Sequence, residues 1–442
     1  MSFFQRYMTR RPANNDPPPA YRPPSPTPTY HTVDDHPHTA KRATSVLPAE
    51  RSKEDLKPST RDPWSQTPTA SAIETITKAQ ITTAIQHDNA RQVLMLMRAG
   101  FDPNSQLRGG DTALHMAVKL GRAWIVTILL NADAYPDIRD RNGITPLHLA
   151  VELGNTAASI AITLLEAGAD VDAITAAGRP STPLDLAFDA GHPAMAMVLL
   201  EYGADPARRN ARGWMPMHYA STWKHASVVT KLLEKGAGVN EPTWSTTPET
   251  CLQLAAERGR KEVVELLLDG GAVVNVAHTD NKNRTALLRA ARNGFGDVVT
   301  LLLEAGADIR PTDREGRMVL HYLAAKNDFQ NLDLLFKLHK KVDVNASDHM
   351  GWTALHMAAY HGCLGATTRL LKNGAGPDAL DAFRSTALHQ AAIWGYSGVA
   401  KALLDANARF DVENEYGVTA LGQARLKNRH DIVALMEVQL SR

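Results

Sequence analysis

The chain has 442 residues, with 48 Lys plus Arg set against 47 Asp plus Glu and a formal net charge of +1. That balance offers no field to draw nucleic acid or an anionic membrane, and no run of 18 apolar residues exists to span a bilayer, so neither is expected as a partner. Two cysteines, Cys251 and Cys363, are too few for a disulfide framework and read as reduced structural thiols of a cytoplasmic or nuclear protein.

Residues 1–70 hold 13 of the 25 prolines and few aliphatic side chains. Such a segment cannot bury enough apolar area to offset its ordering entropy, so a disordered, Pro-rich N-terminal tail is expected there. Within it Pro18-Pro19-Ala20-Tyr21 matches Pro-Pro-x-Tyr, which resembles the ligand of WW domains: a pre-extended proline helix docks on an aromatic groove and Tyr21 fills the next pocket. Ser25-Pro26 and Thr27-Pro28 follow, where added phosphate charge would tune such docking. The cluster His31, Asp34, Asp35, His36 and His38 reads as solvated linker, because a flexible loop preorganises metal ligands poorly. From Ser71 the composition changes. Ile73 to Gln86 and Ala90 to Met97 suit two helices, and Gly100-Phe-Asp-Pro-Asn turns the chain out of the pair.

Beyond this pair the tetrapeptide Thr145-Pro146-Leu147-His148 and its variants recur. Matching positions are Thr112, Thr145, Thr182, Met215, Thr250, Thr285, Met318, Thr353, Thr386 and Thr419, in steps of 33, 37, 33, 35, 35, 33, 35, 33 and 33 residues. A fixed period of this size marks a solenoid, in which each unit stacks on a neighbour to bury its apolar face. The unit grammar is explicit around Asp140. Asn142-Gly143 makes a tight turn, Thr145 stands where a helix N-cap belongs, and Pro146 takes the first helical position, where its missing N–H costs nothing. Leu147, Ala150 and Val151 form a narrow stripe of mostly small residues; Ile160, Leu164 and Leu165 carry a second helix; Gly168-Ala-Asp-Val-Asp leads onward.

The pattern Asp-x-x-Gly-x-Thr-Pro-Leu-His, then Ala-Ala-x-x-Gly, then Leu-Leu-Leu-x-x-Gly-Ala-Asp closely resembles the ankyrin repeat family over residues 73–442. The resemblance implies an all-α solenoid: stacked helix-turn-helix units with β-hairpin fingers over 71–442, about eleven in all, with divergent capping units near 73–106 and 413–442. It also implies that His115, His148, His218, His321, His356 and His389, all in the Thr-Pro-Leu-His slot, bond neighbouring backbone. Successive layers lie about 10 Å apart, too far for one metal to gather them. Departures are Met215 and Met318 in place of the capping Thr, a lost Gly-Ala in His339-Lys-Lys-Val-Asp, and a longer finger over 240–249. Extra residues near Thr156 and near Arg179-Pro180-Ser181 account for the step of 37. The unit at Met318 is therefore expected to form the weakest interface.

No phosphate loop, Gly-x-Ser-x-Gly or His-Glu-x-x-His is present, so no catalytic, cofactor-binding or metal residues are assigned and no cofactor is expected. In ankyrin repeats the variable positions on the concave face are the finger residue before the Thr and the pair ending the first helix. Here these slots hold Trp214, Trp223, Arg284, Arg317, Trp352, Tyr360 and Trp394, and Trp244 lies on the lengthened finger. Trp and Arg desolvate much area at low rotamer cost and are favoured binding anchors; packing against the adjacent finger is the alternative role. The expectation is a monomeric, non-catalytic scaffold that grips a protein partner, with the tail as a regulated docking arm. Two alternatives share these surfaces: a regulatory or targeting subunit of an enzyme or transcription complex, and a ubiquitin-ligase adaptor using the Pro-Pro-x-Tyr motif.

Overall fold

The computed structural model describes residues 78–107, 109–176, 180–276 and 285–440. The proline-rich segment 1–70, with Pro18, Pro19 and Tyr21, lies outside the described residues, as does the finger residue Arg284.

Within the described residues 22 helices follow one another as eleven pairs. They are α1 and α2 (Lys78–Gln86, Ala90–Arg98), α3 and α4 (Ala113–Lys119, Ala123–Leu130), and α5 and α6 (Pro146–Glu152, Ala158–Glu166). Next come α7 and α8 (Pro183–Ala190, Pro193–Glu201), α9 and α10 (Pro216–Thr222, Ala226–Glu234), and α11 and α12 (Cys251–Glu257, Lys261–Asp269). Then follow α13 and α14 (Ala286–Asn293, Gly296–Glu304), α15 and α16 (Val319–Ala325, Phe329–Leu338), and α17 and α18 (Ala354–His361, Leu364–Lys372). The last are α19 and α20 (Ala387–Trp394, Ser397–Asp405) and α21 and α22 (Ala420–Leu426, His430–Leu440). Each helix packs on its own partner and on the matching helix of the adjacent unit, the connectivity of a solenoid.

Residue size explains the close stacking of the first helices. Five residues past nine of the ten unit starts stand Ala117, Ala150, Ala187, Ala220, Ala255, Ala290, Ala358, Ala391 and Ala424, all buried and too small to hold neighbouring backbones apart. The second helices supply the bulk through pairs four residues apart, such as Ile125 with Leu129, Met195 with Leu199 and Val298 with Leu302, all within 1 % of full burial. Each such side chain contributes about 1.5–3 kcal/mol relative to an exposed one.

The fingers are tight turns rather than ladders. Asp140 N–H donates to Ile144 O at 3.0 Å, Asp348 N–H to Trp352 O at 2.9 Å and Asp381 N–H to Ser385 O at 3.0 Å, and the acidic side chain also accepts the N–H of the closing residue. Only isolated bridges, Ser347 with Thr353 and Glu413 with Thr419, give the fingers β character among the described residues. Successive fingers touch through backbone: Ala382 N–H donates to Met350 O and Glu415 N–H to Phe383 O, each at 2.9 Å. Gly143, at φ 70°, sits where a Cβ would lie 2.2 Å from that of Ala176, so the turn needs glycine for both its conformation and its clearance. The extra residues near Thr156 are taken up by a 3-10 turn over Gly154–Ala157.

A second device ties unit to unit where the chain leaves each second helix. Asn104 Oδ1 accepts from Tyr135 N–H at 2.8 Å, Asp137 from Asp170 at 2.9 Å, Asn240 from Val273 at 2.8 Å, Asn275 from Asp308 at 2.8 Å and Asn345 from Gly376 at 2.8 Å. The asparagines among them reach back with Nδ2 as well: Asn240 to Gly271 O and Asn275 to Gly306 O, both at 3.0 Å. This ladder of Asn and Asp loses a rung where Ala207 and Arg310 occupy the same position. The gap at Arg310 falls just before the unit that begins at Met318, carries Leu323 in the alanine slot and has Lys341 where its neighbours have glycine.

Candidate partner-binding face

Six histidines hold the array's units together. His115 Nδ1 accepts the Thr112 N–H at 3.3 Å and lies 2.9 Å from Thr112 Oγ1, while Nε2 faces Ile144 O of the next finger at 3.0 Å. The same pair of contacts recurs at His148, His356 and His389, with Nε2 at 3.2, 3.0 and 3.1 Å from Ser181, Ser385 and Val418 carbonyls. A carbonyl on Nε2 and an amide N–H on Nδ1 fit only the neutral ring protonated at Nε2. At Met215 and Met318 the threonine hydroxyl is gone, yet His218 and His321 still accept the cap N–H at 2.9 and 3.2 Å and reach Glu241 O and Trp352 O. Burial lowers the pKa of all six, His218 to about 4. Asp185 and Gln253 fill the slot in two other units, and each accepts the cap N–H through a side-chain oxygen, at 3.0 and 2.9 Å.

The aromatic residues divide into two groups. In the first, Trp214 packs on Tyr219 with centroids 4.9 Å apart, and Phe188 lies 5.8 Å from Tyr219 and 4.9 Å from Trp223. In the second, Tyr360 takes Trp352 at 5.2 Å and Trp394 at 5.3 Å, both edge to face. All four indoles are half-buried, and the Nε1 of Trp352 is covered without an acceptor among the described residues. Trp244 stands apart from both groups: its indole is 71 % exposed on the fingertip, with the Arg209 guanidinium 4.8 Å from the ring centre.

Charge fills the stretch between the groups. Arg289, 8 % exposed, bridges Glu249 at 2.7 Å and Glu257 at 2.5 Å. Arg317 is engaged by Asp313 at 3.1 Å and Glu315 at 2.8 Å, so its finger satisfies its own cation. Tyr322 Oη donates to Asp313, whereas in the unit starting at Met215 the equivalent tyrosine accepts, Asn210 Nδ2 donating to Tyr219 Oη at 2.7 Å. Burial and the nearby Asp189 push Tyr219 up to about 12; burial and Asp313 raise Tyr322. Phe188, Tyr219, Arg289 and Tyr322 are not picked out by the finger and helix-end slots alone. A signal existed for two of them: both units that start with Met carry a tyrosine four residues later.

The thiols of Cys251 and Cys363 are free and buried, and burial pushes them up to about 12 and about 11, outside the range of a reactive thiolate. No cluster of three metal-ligating side chains occurs among the described residues, and none of their helices is long and apolar enough to cross a membrane.

Comparison with known proteins agrees with this geometry. The family profile described as ankyrin repeats (3 copies) matches residues 81–175, 159–243, 240–313, 305–381 and 363–437. The chain belongs to the ankyrin repeat family. Among curated proteins it is similar to "Putative palmitoyltransferase ZDHHC13" of Danio rerio, 32 % identical over 104 residues, which is 24 % of this chain and 16 % of that one. It is also similar to Inversin of Danio rerio, 35 % identical over 72 residues, 16 % of this chain and 7 % of that protein. The chain thus matches less than a fifth of the length of either relative. The ankyrin fold is typically a non-catalytic interaction module, and such repeats support binding to other proteins.

Proposed function

We propose that this ankyrin array is a protein–protein interaction scaffold whose partner lies on the face formed by the finger residues and the first-helix ends, and that residues 1–70 serve as a docking arm. The observation that carries the reading is the placement of Trp214, Trp223, Trp352 and Trp394 in those slots, each half-buried with part of its indole open. Such residues offer large apolar area already fixed in position, which lowers the ordering cost of binding. Enzyme chemistry is not proposed; the palmitoyltransferase named above matches only 24 % of this chain. The adaptor version adds recruitment of a WW-containing ligase through Pro18, Pro19 and Tyr21.

Proximity labelling with the full-length chain, followed by capture of the recovered protein on purified chain, tests the scaffold. Replacing Trp352 and Trp394 with Ala should reduce capture at least tenfold while helicity is kept. Unchanged capture would remove the aromatic face from the function. Tyr21→Ala should separately abolish ligase recruitment; recruitment that persists would remove the adaptor version.

A further inference from the structure

The lengthened finger that precedes α11 carries a group the scaffold does not use. The fingers at Asp140, Asn210 and Asp348 close on the residue four places later, but this one closes between Thr243 and Glu249. Thr243 N–H donates to Glu249 O and Glu249 N–H donates to Thr243 Oγ1, both at 3.0 Å. The two added residues leave 244–248 as a lobe beyond that closure. Trp244, Ser245 and Thr246 are exposed there, and Thr247 and Pro248 are half-buried. The Trp244 N–H donates to Gly213 O at 3.2 Å, whereas those of Ser245, Thr246 and Thr247 make no hydrogen bond among the described residues. Ser245 Oγ donates to Thr247 O at 2.6 Å, and the Thr247 hydroxyl itself is unengaged among the described residues.

Thr247-Pro248 is one of three Thr-Pro pairs between residues 71 and 442, and the fold treats the three differently. Thr145 and Thr182 are helix caps, 0 % and 2 % exposed. Thr145 Oγ1 lies 2.8 Å from His148 Nδ1, and Thr182 Oγ1 accepts the Asp185 N–H at 3.1 Å. Their prolines open α5 and α7, so offering either threonine as extended chain would unwind the first turn of a helix. Pro248 opens no helix, because α11 begins only at Cys251. A proline confines the residue before it to extended backbone, the form in which a kinase cleft takes its substrate. The same dipeptide is thus locked at two positions and presented at the third.

We infer that Thr247 is a phosphorylation site, the acceptor for a kinase that selects threonine followed by proline. Thr247 Oγ1 attacks the γ-phosphorus of a nucleoside triphosphate, and the bond from that phosphorus to the β,γ-bridging oxygen breaks. The nucleoside diphosphate leaves with the electron pair, and the hydroxyl proton passes to a carboxylate of the kinase. The product carries about −1.5 to −2 of charge at pH 7, two residues from Glu249, which fills the finger slot and pairs with Arg289 at 2.7 Å. Phosphate there changes the charge of the finger edge between Trp214 and Arg317. Control of partner binding by that charge rests on the scaffold reading above, whereas the modification is read on the free chain.

The test incubates the folded full-length chain with magnesium, ATP and a purified proline-directed kinase, and maps phosphate by mass spectrometry. A proteolytic digest of the same chain supplies the rate of each sequence without its fold. In the digest the peptides of Thr145, Thr182 and Thr247 should all be labelled. In the folded chain Thr247 should keep that rate to within about tenfold, while Thr145 and Thr182 fall at least about a hundredfold, since their exposure requires a helix to open. Pro248→Ala should slow labelling of the lobe about tenfold or more, because residue 247 is no longer held extended. Thr247→Ser should retain the phosphate, and Thr247→Ala should remove it from 243–249, with helicity unchanged by circular dichroism. A folded chain in which Thr247 is as protected as Thr145 overturns the inference, as does a digest in which Thr247 stays unlabelled. Phosphate that moves to Ser245 or Thr246 in Thr247→Ala at the native rate also overturns it, since the lobe would then be open without being selective.

Discussion

Substituting His218 with Gln should make the array less sensitive to acid without disturbing it at neutral pH. The folded chain holds His218 neutral: Nδ1 accepts the Met215 N–H at 2.9 Å, Nε2 donates to Glu241 O at 2.8 Å, and burial lowers the pKa to about 4 from an ordinary 6.5. In the unfolded chain the ring protonates near its ordinary value, so below that pH the unfolded state binds the extra proton and stability falls. The loss begins near pH 6.5, continues to about pH 4 and then levels off. At about 1.4 kcal/mol per tenfold change, this one residue costs about 2 kcal/mol at pH 5 and about 3 kcal/mol at pH 4. Glutamine is the informative replacement because Gln253 already fills the equivalent slot, accepting the Thr250 N–H through Oε1 at 2.9 Å. Urea unfolding followed by indole fluorescence near Trp214 should show native and His218→Gln chains diverging as pH drops from 7 to 5, the variant being relatively more stable. Parallel pH profiles, or a variant that is more acid-sensitive, would refute the neutral, Nε2-protonated assignment.

Three further outcomes follow from the packing. Arg310→Asn should restore a rung of the loop ladder by placing an acceptor beside the Asp343 N–H, adding about 1 kcal/mol; in the native chain hydrogen exchange should show less protection over 318–345 than over 353–410, and uniform protection would deny a weak interface there. Arg289→Ala should cost about 3 kcal/mol in chemical denaturation, because Glu249 and Glu257 lose the buried cation between them; a loss near zero would place the triad among screened surface pairs. Gly143→Ala should cost more than about 1 kcal/mol, since φ is 70° and the new Cβ meets that of Ala176, and a neutral effect would show that the finger shifts freely.

Much of this fold is written in local rules that survive without context. Thr145 at an extended N-cap, Pro146 inside it and Gly143 in the preceding turn each specify one backbone geometry, and the period repeats the message down the chain. The histidine slot was legible for the same reason, as a spacing of three residues brings Nδ1 onto the cap N–H. The candidate face was legible only by position. Sequence spacing puts Trp352 in the finger slot of one unit and Trp394 at the helix end of the next, but not Tyr360 edge-on between them. Arg317 is the clearer case. It occupies a finger slot open to partners in the family pattern, yet Asp313 and Glu315, within four residues of it, satisfy it inside its own finger. The rungs at Asn240 and Asn275 were hidden because a lone Asn after a Gly-Ala turn is an ordinary loop residue until its neighbour's backbone is known.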